Sequence, residues 1–361
     1  MGKIKTYANH FCGVGGACWG LHKAGLECRL AIDYLPIAIE YREKNLGHKG
    51  ICMDISEYKK DDAHAADLLW TSPPCQTFSS ARDGADDPTD VRNHLYMASV
   101  NYAKEFKPRF FVLENVVGML SHDSDGLGGG TLARFRKAFS DLGYNVEWNI
   151  LNSRYFGVPQ SRPRVFIVGS LTGEVGLIPA HPRAPRVSFG DIMERNMEEL
   201  AWGGSTYATA MEKIQRTGIG MTVVEGKDRK PKRGVRDNGL PRDMLPTLTC
   251  GFGGGPTRKK CCVLDESKDG LAFLRDPSVR EGARAQGFPD EWVFPDNFTD
   301  AWKLVGNAVA SPVSEAIARH LIAVSEGKTP PSKEELTSDE IRSAIIRQQG
   351  NEEPPNIVFE E

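Results

Sequence analysis

Two residues of the sequence, a cysteine and a glutamate, each follow a short apolar run and could take part in chemistry. Cys75 lies in Pro73-Pro74-Cys75-Gln76, directly after a run that begins at Leu68, and Glu114 ends a second run. A buried strand that ends in a proline-stiffened turn delivers a thiol to a position where it can face a ligand. A free cysteine is otherwise usually a small buried apolar side chain. Because Glu114 ends a second apolar run, the two residues together favour an active site that contains a nucleophile and an acid.

The elements that must position these two residues follow from the alternation of apolar and amphipathic segments. Short apolar runs alternate with helix-like stretches, which is typical of an α/β fold with a mostly parallel sheet and crossover helices. We predict strands at 5–11, 27–32, 50–52, 68–71, 110–114, 145–151 and 164–168. Helices are predicted at 16–24, 36–45, 92–106, 131–141 and 311–324.

The remaining segments are polar or irregular. Residues 77–91 read as a long polar loop, and a loop of this length in a compact domain is usually a lid or a binding loop. Residues 171–272 are rich in Pro, Gly and Arg, which predicts a smaller, irregular, mostly β domain. Within it, residues 227–242 carry seven basic side chains against two acidic ones. The tail after Gly327 is rich in Pro and Glu, with one possible helix near 333–348.

Composition limits the classes of protein to consider. The chain has 361 residues, 40% of them hydrophobic and 26% charged, and a net charge of −3, which argues against a uniformly basic nucleic-acid coat. None of the eight cysteines forms a Cys-x-x-Cys pair, so we expect no metal. We find no signal peptide and no apolar run of about 18 residues. A soluble, cytoplasmic protein with reduced thiols and no membrane contact is expected.

A ligand with a ribose and an anionic group is indicated at the amino-terminal end. The first strand runs into Phe11-Cys12-Gly13-Val14-Gly15-Gly16, where glycines permit a tight turn and free N–H groups at a helix start attract negative charge. The dinucleotide fingerprint needs a glycine where this chain has Cys18, so NAD is disfavoured. Asp33-Tyr34 follow the second strand, where a carboxylate suits the two hydroxyls of a ribose. Asp54-Ile55 follow the third strand, where their side chains could meet the edge and face of an adenine. The three strand ends together suggest S-adenosylmethionine.

Two arginines complete the reacting end in Gln160-Ser161-Arg162-Pro163-Arg164. Alternate residues of an extended segment project to the same face, so both arginines are expected beside Cys75 and Glu114. There they would orient a polar planar substrate.

At this point the sequence resembles the cytosine-5 DNA methyltransferases through almost its whole length. The segments that carry the resemblance occur in the family's order: Phe11–Gly16, Pro74-Cys75-Gln76, Glu114-Asn115-Val116, Gln160-x-Arg162-x-Arg164, Arg280–Pro289 and Gly306-Asn307-Ala308-Val309. Cys12 stands where the family more often has a smaller residue, and Ala285 where it prefers leucine. The resemblance implies a class I methyltransferase-like doubly wound sheet with a smaller target-recognition domain.

The activity implied by the resemblance is methyl transfer from S-adenosylmethionine to carbon 5 of a flipped-out cytosine in a specific duplex DNA sequence. Cys75 would attack carbon 6, Glu114 would protonate ring nitrogen 3, Arg164 would bind the ring carbonyl, and Arg162 would support the thiol. The cofactor-binding residues would be Phe11, Gly13, Gly15, Gly16, Asp33, Tyr34, Asp54, Ile55, Pro74, Asn307 and Ala308. The DNA-binding residues would be Gln76, Ser79, Arg82, Gln160, Lys230, Lys232 and Arg233.

Domain bounds and partners complete the expectation. Residues 1–170 would form the catalytic and cofactor-binding domain, 171–300 the target-recognition domain, 301–327 a part returning to the catalytic domain, and 328–361 a polar, acidic tail. We expect a monomeric prokaryotic or phage enzyme, with a cognate restriction endonuclease as a possible partner. The alternatives are an RNA cytosine-5 methyltransferase of the same fold, a catalytically silent DNA-binding relative, and a NAD-dependent reductase. Intact Cys75, Glu114, Arg162 and Arg164 disfavour the silent relative.

Overall fold

The computed structural model describes most of the chain with several gaps. The described residues are 2–59, 61–74, 95–120, 130–173, 175–176, 187–197, 222–224, 244–245, 247–250, 260–266 and 272–328. Several predictions fall outside them: Cys75, Gln76, Ser79, Arg82, Lys230, Lys232, Arg233, the loop 77–91, the basic segment 227–242 and the tail helix 333–348.

The backbone divides into two compact units. The first comprises Met1–Asn152, Pro163–Pro182 and Val309–Glu335, and the second Ser153–Arg162, Arg183–Ala308 and Leu336–Glu361. The functional domain bounds predicted from the sequence stay a prediction.

The first unit is built on a seven-stranded sheet, counted over the described residues. Its strands are β1 (Thr6–His10), β2 (Glu27–Asp33), β3 (Ile51–Cys52), β4 (Leu68–Thr71), β5 (Phe110–Val116), β6 (Asn145–Asn152) and β7 (Pro163–Ser170). Their order is β3-β2-β1-β4-β5-β7-β6. Neighbouring strands from β3 to β5 are parallel, whereas β7 runs antiparallel to both β5 and β6. The seven strands predicted from apolar runs are all present, with ends shifted by at most two residues.

Helices connect the parallel strands, as the alternation predicts. They are α1 (Gly16–Lys23), α2 (Pro36–Leu46), α3 (Tyr96–Phe106) and α4 (Gly130–Asp141). Local signals set some of their ends: Pro36 suits a first helical turn, and Gly47 ends α2 in the left-handed conformation. The strand order reverses direction at β1 and β4, and in open α/β sheets ligands bind at such a point, outside the carboxyl ends of the strands.

The core of the first unit lies between the sheet and these helices. All four residues of β4 are buried, and so are the first six of β5, because helices cover both faces of a parallel sheet. Phe111, Phe135, Phe139 and Tyr144 form an aromatic cluster with ring centroids 3.8–5.6 Å apart. Phe111 is the second residue of β5, so this cluster lies at the end of the sheet where β5 begins. The loops that follow β1, β4 and β5 lie at the other end.

The last described helix packs against the first one. Helix α8 (Ser311–Ser325) follows α7 (Phe298–Asn307), and its Ser314 hydroxyl donates to the carbonyl oxygen of Ala17 at 3.2 Å. A Cβ atom on Gly20 of α1 would lie 2.1 Å from Ser314 Oγ and 2.3 Å from the carbonyl oxygen of Ser311. The two helices therefore approach to a distance that only glycine permits at this position.

The second unit contains a small antiparallel sheet and short helices. Its strands are β8 (Thr222–Val224), β9 (Lys260–Glu266) and β10 (Ala272–Arg275), and its helices are α5 (Phe189–Ile192), α6 (Val279–Ala285) and α7. A capping box of Ser278 and Glu281 starts α6. Glu281 is fully buried, and Arg275 donates to both of its carboxylate oxygens at 2.6 and 2.8 Å. Among the described residues, no helix is long and apolar enough to cross a membrane.

Candidate active site

The loop after β1 has the backbone that the glycine pattern predicts. Phe11 has a φ of 59°, Gly13 a φ of 52° and Gly15 a φ of 98°. Left-handed conformations are costly for a bulky side chain, so Phe11 marks stored strain at the start of this loop. Gly15 is the N-cap of α1 and offers no side-chain hydrogen bond to the first turn. The N–H groups of that turn, which no side chain of the N-cap satisfies, suit an anionic ligand.

Asp33 holds this loop from the end of β2. Its carboxylate accepts hydrogen bonds from the N–H of Gly13 at 2.8 Å and the N–H of Leu35 at 3.0 Å. Burial raises the pKa of Asp33 above its ordinary value, although the two N–H groups act in the opposite direction. Both carboxylate oxygens thus already have backbone partners that orient them at the cofactor edge.

The other two predicted cofactor positions differ in exposure. Tyr34 is 64% exposed, so its ring is free to cover a ligand. Asp54 caps a short 3-10 helix, Ile55–Glu57, by accepting from the N–H of Ser56 at 2.9 Å, and the Ser56 hydrogen bonds lower the pKa of Asp54. Ile55 is buried and belongs to the core cluster of the sheet.

The turn that leads from β4 to Cys75 is held by neighbours on both sides. The N–H of Ser72 donates to the carbonyl oxygen of His10 at 3.3 Å, and Trp70 Nε1 donates to Ser72 Oγ at 3.1 Å. On the β5 side, Asn115 Nδ2 donates to the carbonyl oxygen of Pro73 at 3.3 Å. The residues directly before Cys75 are therefore anchored to both strands that flank β4.

Glu114 and Arg164 form an ion pair across β5 and β7. Glu114 is opposite Phe166 and Arg164 opposite Val116, so the two charged side chains are diagonal neighbours on one face. Arg164 Nε lies 3.2 Å from Glu114 Oε1, and their side chains are 14% and 11% exposed. This geometry leaves a largely buried acid and a guanidinium side by side at the edge where β5 ends.

Comparison with known proteins shows the family of the chain. The family model described as C-5 cytosine-specific DNA methylase matches residues 6–323. The chain belongs to this family. Its activity is therefore that of a DNA (cytosine-5-)-methyltransferase, and its methyl donor is S-adenosylmethionine, as the sequence predicts.

Individual relatives agree with the family. The methyltransferase is 31% identical over 349 residues to the Type II methyltransferase M.MthTI of Methanothermobacter thermautotrophicus, which covers 89% of this chain and 98% of the relative. It is 29% identical over 339 residues to the Type II methyltransferase M1.HphI of Haemophilus parahaemolyticus, over 88% of this chain and 86% of the relative.

Solved structures confirm the predicted fold class. The S. pombe Dnmt2 methyltransferase superposes with a TM-score of 0.63 at 21% identity, over 90% of this chain and 99% of that chain. The Entamoeba histolytica methyltransferase EhMeth gives a TM-score of 0.65 at 14% identity, over 88% and 98%. At these identities the likeness shows the fold alone, a class I methyltransferase-like α/β sheet.

Gln160, which the sequence predicts to contact DNA, belongs to the second unit. Its side chain is fully buried, where it donates to the carbonyl oxygen of Ala285 at 2.9 Å and accepts from the N–H of Leu248 at 3.0 Å. Both amide atoms are thus used inside the second unit of the methyltransferase. The structure gives Gln160 a framework role in that unit; its contact with DNA stays a prediction.

Arg162 also binds backbone. Its guanidinium donates to the carbonyl oxygens of Leu248 at 2.6 Å, Gly306 at 3.1 Å and Ala308 at 3.0 Å. Arg162 belongs to the second unit and directly precedes Pro163, where β7 begins, so the shared face predicted for Arg162 and Arg164 stays a prediction. The structure gives Arg162 a framework role; a support of the thiol stays a prediction.

Asn307 and Ala308 belong to the second unit, at the end of α7. Asn307 is exposed and Ala308 is buried. Their contact with the cofactor stays a prediction, as do the roles of Pro74 and of the residues outside the described ranges.

Sequence reasoning missed a group of buried polar residues behind the site. His10, Thr71 and Ser99 are fully buried and joined by hydrogen bonds. His10, a polar residue at the end of β1, is the signal that could have drawn attention to this group. Ser99 lies in the middle of α3, and no spacing in the sequence links it to the strand ends.

Proposed function

We propose that this methyltransferase acts on a flipped-out cytosine in a specific duplex DNA sequence through a covalent adduct with Cys75. The observation that carries the proposal is the Glu114–Arg164 pair at the end of β5, the strand beside the one that leads to Cys75. A planar ring that accepts a proton at nitrogen and presents a carbonyl group needs an acid and a guanidinium in this arrangement.

Each residue has a role that follows from the chemistry of cytosine. Carbon 5 is a poor nucleophile, so the Cys75 thiolate adds to carbon 6 and gives carbon 5 enamine character. Glu114 protonates ring nitrogen 3 and relieves the negative charge that develops on the ring. Arg164 holds the ring carbonyl oxygen and orients the Glu114 carboxyl. Once carbon 5 carries the methyl group, it loses its proton to a base such as a water molecule, nitrogen 3 returns its proton to Glu114, and Cys75 leaves as the thiolate.

The loop after β1 fits S-adenosylmethionine. Bound there, S-adenosylmethionine supplies an electrophilic methyl group on a sulfonium. The uncapped first turn of α1 suits its carboxylate, Asp33 at the end of β2 suits its ribose hydroxyls, and exposed Tyr34 suits its adenine ring. The strained Phe11 and the left-handed Gly13 bring backbone close to the ligand.

Replacing Asp33 by asparagine is expected to raise the KM for S-adenosylmethionine about tenfold and to change kcat by less than about threefold. The reason is that a charged acceptor for the ribose and for the N–H of Gly13 becomes neutral. Initial rates with tritiated S-adenosylmethionine measure both constants. Asp61→Asn is the matched control, because Asp61 accepts from the N–H of Ala63, two residues on, as Asp33 accepts from the N–H of Leu35. An unchanged KM in Asp33→Asn would contradict the assignment.

Contact with DNA is proposed for residues outside the described ranges. The target carbon is not reachable within stacked duplex DNA, so the base must rotate out at a cost of a few kcal/mol. The loop 77–91, with Gln76, Ser79 and Arg82 in or next to it, would close over the flipped base. Lys230, Lys232 and Arg233 would contact phosphates. These basic residues supply a local positive charge that the net charge of −3 does not reveal.

We further propose that the enzyme works as a monomer in the cytoplasm of a prokaryotic or phage-infected cell. Relatives named Type II methyltransferases from bacteria and an archaeon support a restriction–modification setting with a cognate endonuclease.

Duplex DNA that carries 5-fluorocytosine tests the covalent step. A fluorine at carbon 5 cannot leave as a proton does, so the wild-type enzyme with S-adenosylmethionine should form a stable adduct, and peptide mapping should place it on Cys75. Bisulfite sequencing of DNA from cells that express the enzyme reads the target sequence in parallel. Two results would overturn the nucleophile assignment. One is an adduct on another residue, and the other is no adduct with the fluorinated DNA although the enzyme methylates the same sequence with ordinary cytosine.

A further inference from the structure

A directed hydrogen-bond chain lies beneath the loops that follow β1 and β4. His10 and Thr71 are register partners, the last residues of the two strands, and their side chains meet Ser99 of α3. His10 Nδ1 lies 3.1 Å from Ser99 Oγ, and Ser99 Oγ donates to Thr71 Oγ1 at 2.8 Å. All three residues are 0% exposed.

The protons on this chain can be assigned. Because the single hydrogen of the Ser99 hydroxyl goes to Thr71, we assign His10 the tautomer in which Nδ1–H donates to Ser99. The other ring nitrogen, Nε2, is buried and has no hydrogen-bond partner among the residues that the structure describes. Burial lowers the pKa of His10 to about 3, in agreement with a neutral ring. The chain runs from His10 to Ser99 to Thr71.

His10 holds two consecutive residues before the proline pair. Through Ser99 it fixes the side chain of Thr71, and its carbonyl oxygen accepts from the N–H of Ser72. Pro73 and Pro74 have no N–H, so Ser72 supplies the last backbone donor before Cys75. The hydrogen bonds between β1 and β4 can therefore affect the position of the Cys75 thiol only through Thr71 and Ser72.

The same residue borders the cofactor loop. Phe11 follows His10 directly and has the left-handed φ of 59° at which β1 ends and the loop begins. The ring of Tyr102, also in α3, packs edge-on against the His10 ring with centroids 5.1 Å apart. One buried imidazole thus lies between the loop that follows β1 and the turn that precedes Cys75.

We propose that His10 and Ser99 are positioning residues that hold the turn before Cys75 in register with the cofactor loop. This inference rests on the proposed role of Cys75. Because a displacement of about 1 Å at reacting atoms can cost about 10²-fold in rate, the chain acts on the chemical step rather than on ligand binding.

Ser99→Ala should lower kcat about tenfold while the KM values for S-adenosylmethionine and DNA stay within about twofold. The rate of adduct formation with 5-fluorocytosine DNA should fall by the same factor. In His10→Asn the amide nitrogen takes the place of Nδ1–H, so its kcat should stay within about threefold of wild type. His10→Gln has similar polarity but carries its amide one carbon farther out, so its kcat should fall as in Ser99→Ala. Assays are run well below the lowest melting temperature of the set.

Ser170→Ala is the matched control, because Ser170 is a buried serine paired with Phe110 at the opposite end of the sheet. Its kcat should equal that of wild type. A wild-type kcat in Ser99→Ala, or equal kcat values for His10→Asn and His10→Gln, would overturn the positioning role. The rate of methyl transfer and the residue that carries the adduct are measured in separate experiments. A wild-type adduct away from Cys75 would therefore refute the proposed function, whereas a mapped Cys75 with an unaffected Ser99→Ala variant refutes only this inference.

Discussion

Glu114→Gln should leave the methyltransferase folded and lower kcat by about 10²–10⁴-fold, the range that general acid catalysis contributes. Glutamine keeps the shape of the side chain and an oxygen for Arg164 Nε, now 3.2 Å from Glu114 Oε1. It cannot transfer a proton to ring nitrogen 3, so the negative charge that forms when the thiol adds to carbon 6 stays on the ring. Single-turnover rates of methyl transfer, measured with saturating DNA and S-adenosylmethionine, report this step.

A second glutamate in the same sheet provides the control for Glu114→Gln. Glu147 of β6 is partly buried and accepts hydrogen bonds from the N–H groups of Val175 and Gly176. Glu147→Gln removes one carboxylate from the unit without touching the Glu114–Arg164 pair, so its kcat should match that of wild type. Equal single-turnover rates for Glu114→Gln and wild type would remove Glu114 from the list of catalytic residues.

Gly20→Ala should lower the free energy of unfolding of the first unit by about 3 kcal/mol, the upper part of the usual cost of overpacking. Alanine is ordinarily better than glycine in a helix by about 1 kcal/mol. Here its Cβ atom would lie 2.3 Å from the carbonyl oxygen of Ser311 and 2.6 Å from the nitrogen of Glu315. Backbone atoms cannot rotate away, so α1 and α8 must separate. Thermal unfolding followed by circular dichroism measures the effect.

Gly190→Ala serves as the comparison for Gly20→Ala. Gly190 is also helical, but a Cβ atom there would meet only Ser188 Oγ at an ordinary distance of 3.5 Å. This variant should unfold at the wild-type temperature or slightly above it. A melting temperature of Gly20→Ala that is no lower than that of wild type would show that the two helices do not pack as closely as the structure describes.

Much of the fold could be predicted from the sequence because its signals are local. Each strand of the large sheet is a short apolar run, and the buried β4 and β5 are the clearest of them because both of their faces are covered. Glycines 13 and 15 likewise predict the left-handed turns that end in α1. The short helix α7 was not predicted, although Asn297 caps it, because irregular segments precede it.

The sequence by itself determined which residues could do chemistry, and the tertiary structure decided which of them act together. Glu114 and Arg164 meet because β7 returns antiparallel beside β5 in one register, which no local pattern specifies. Arg162, only two residues away, instead binds carbonyl oxygens of Leu248, Gly306 and Ala308. His10 contacts Ser99, which lies in α3, 89 residues later in the chain. Buried polar groups must be satisfied by whatever partner the packing brings within about 3 Å. The choice of partner is therefore a property of the assembled fold.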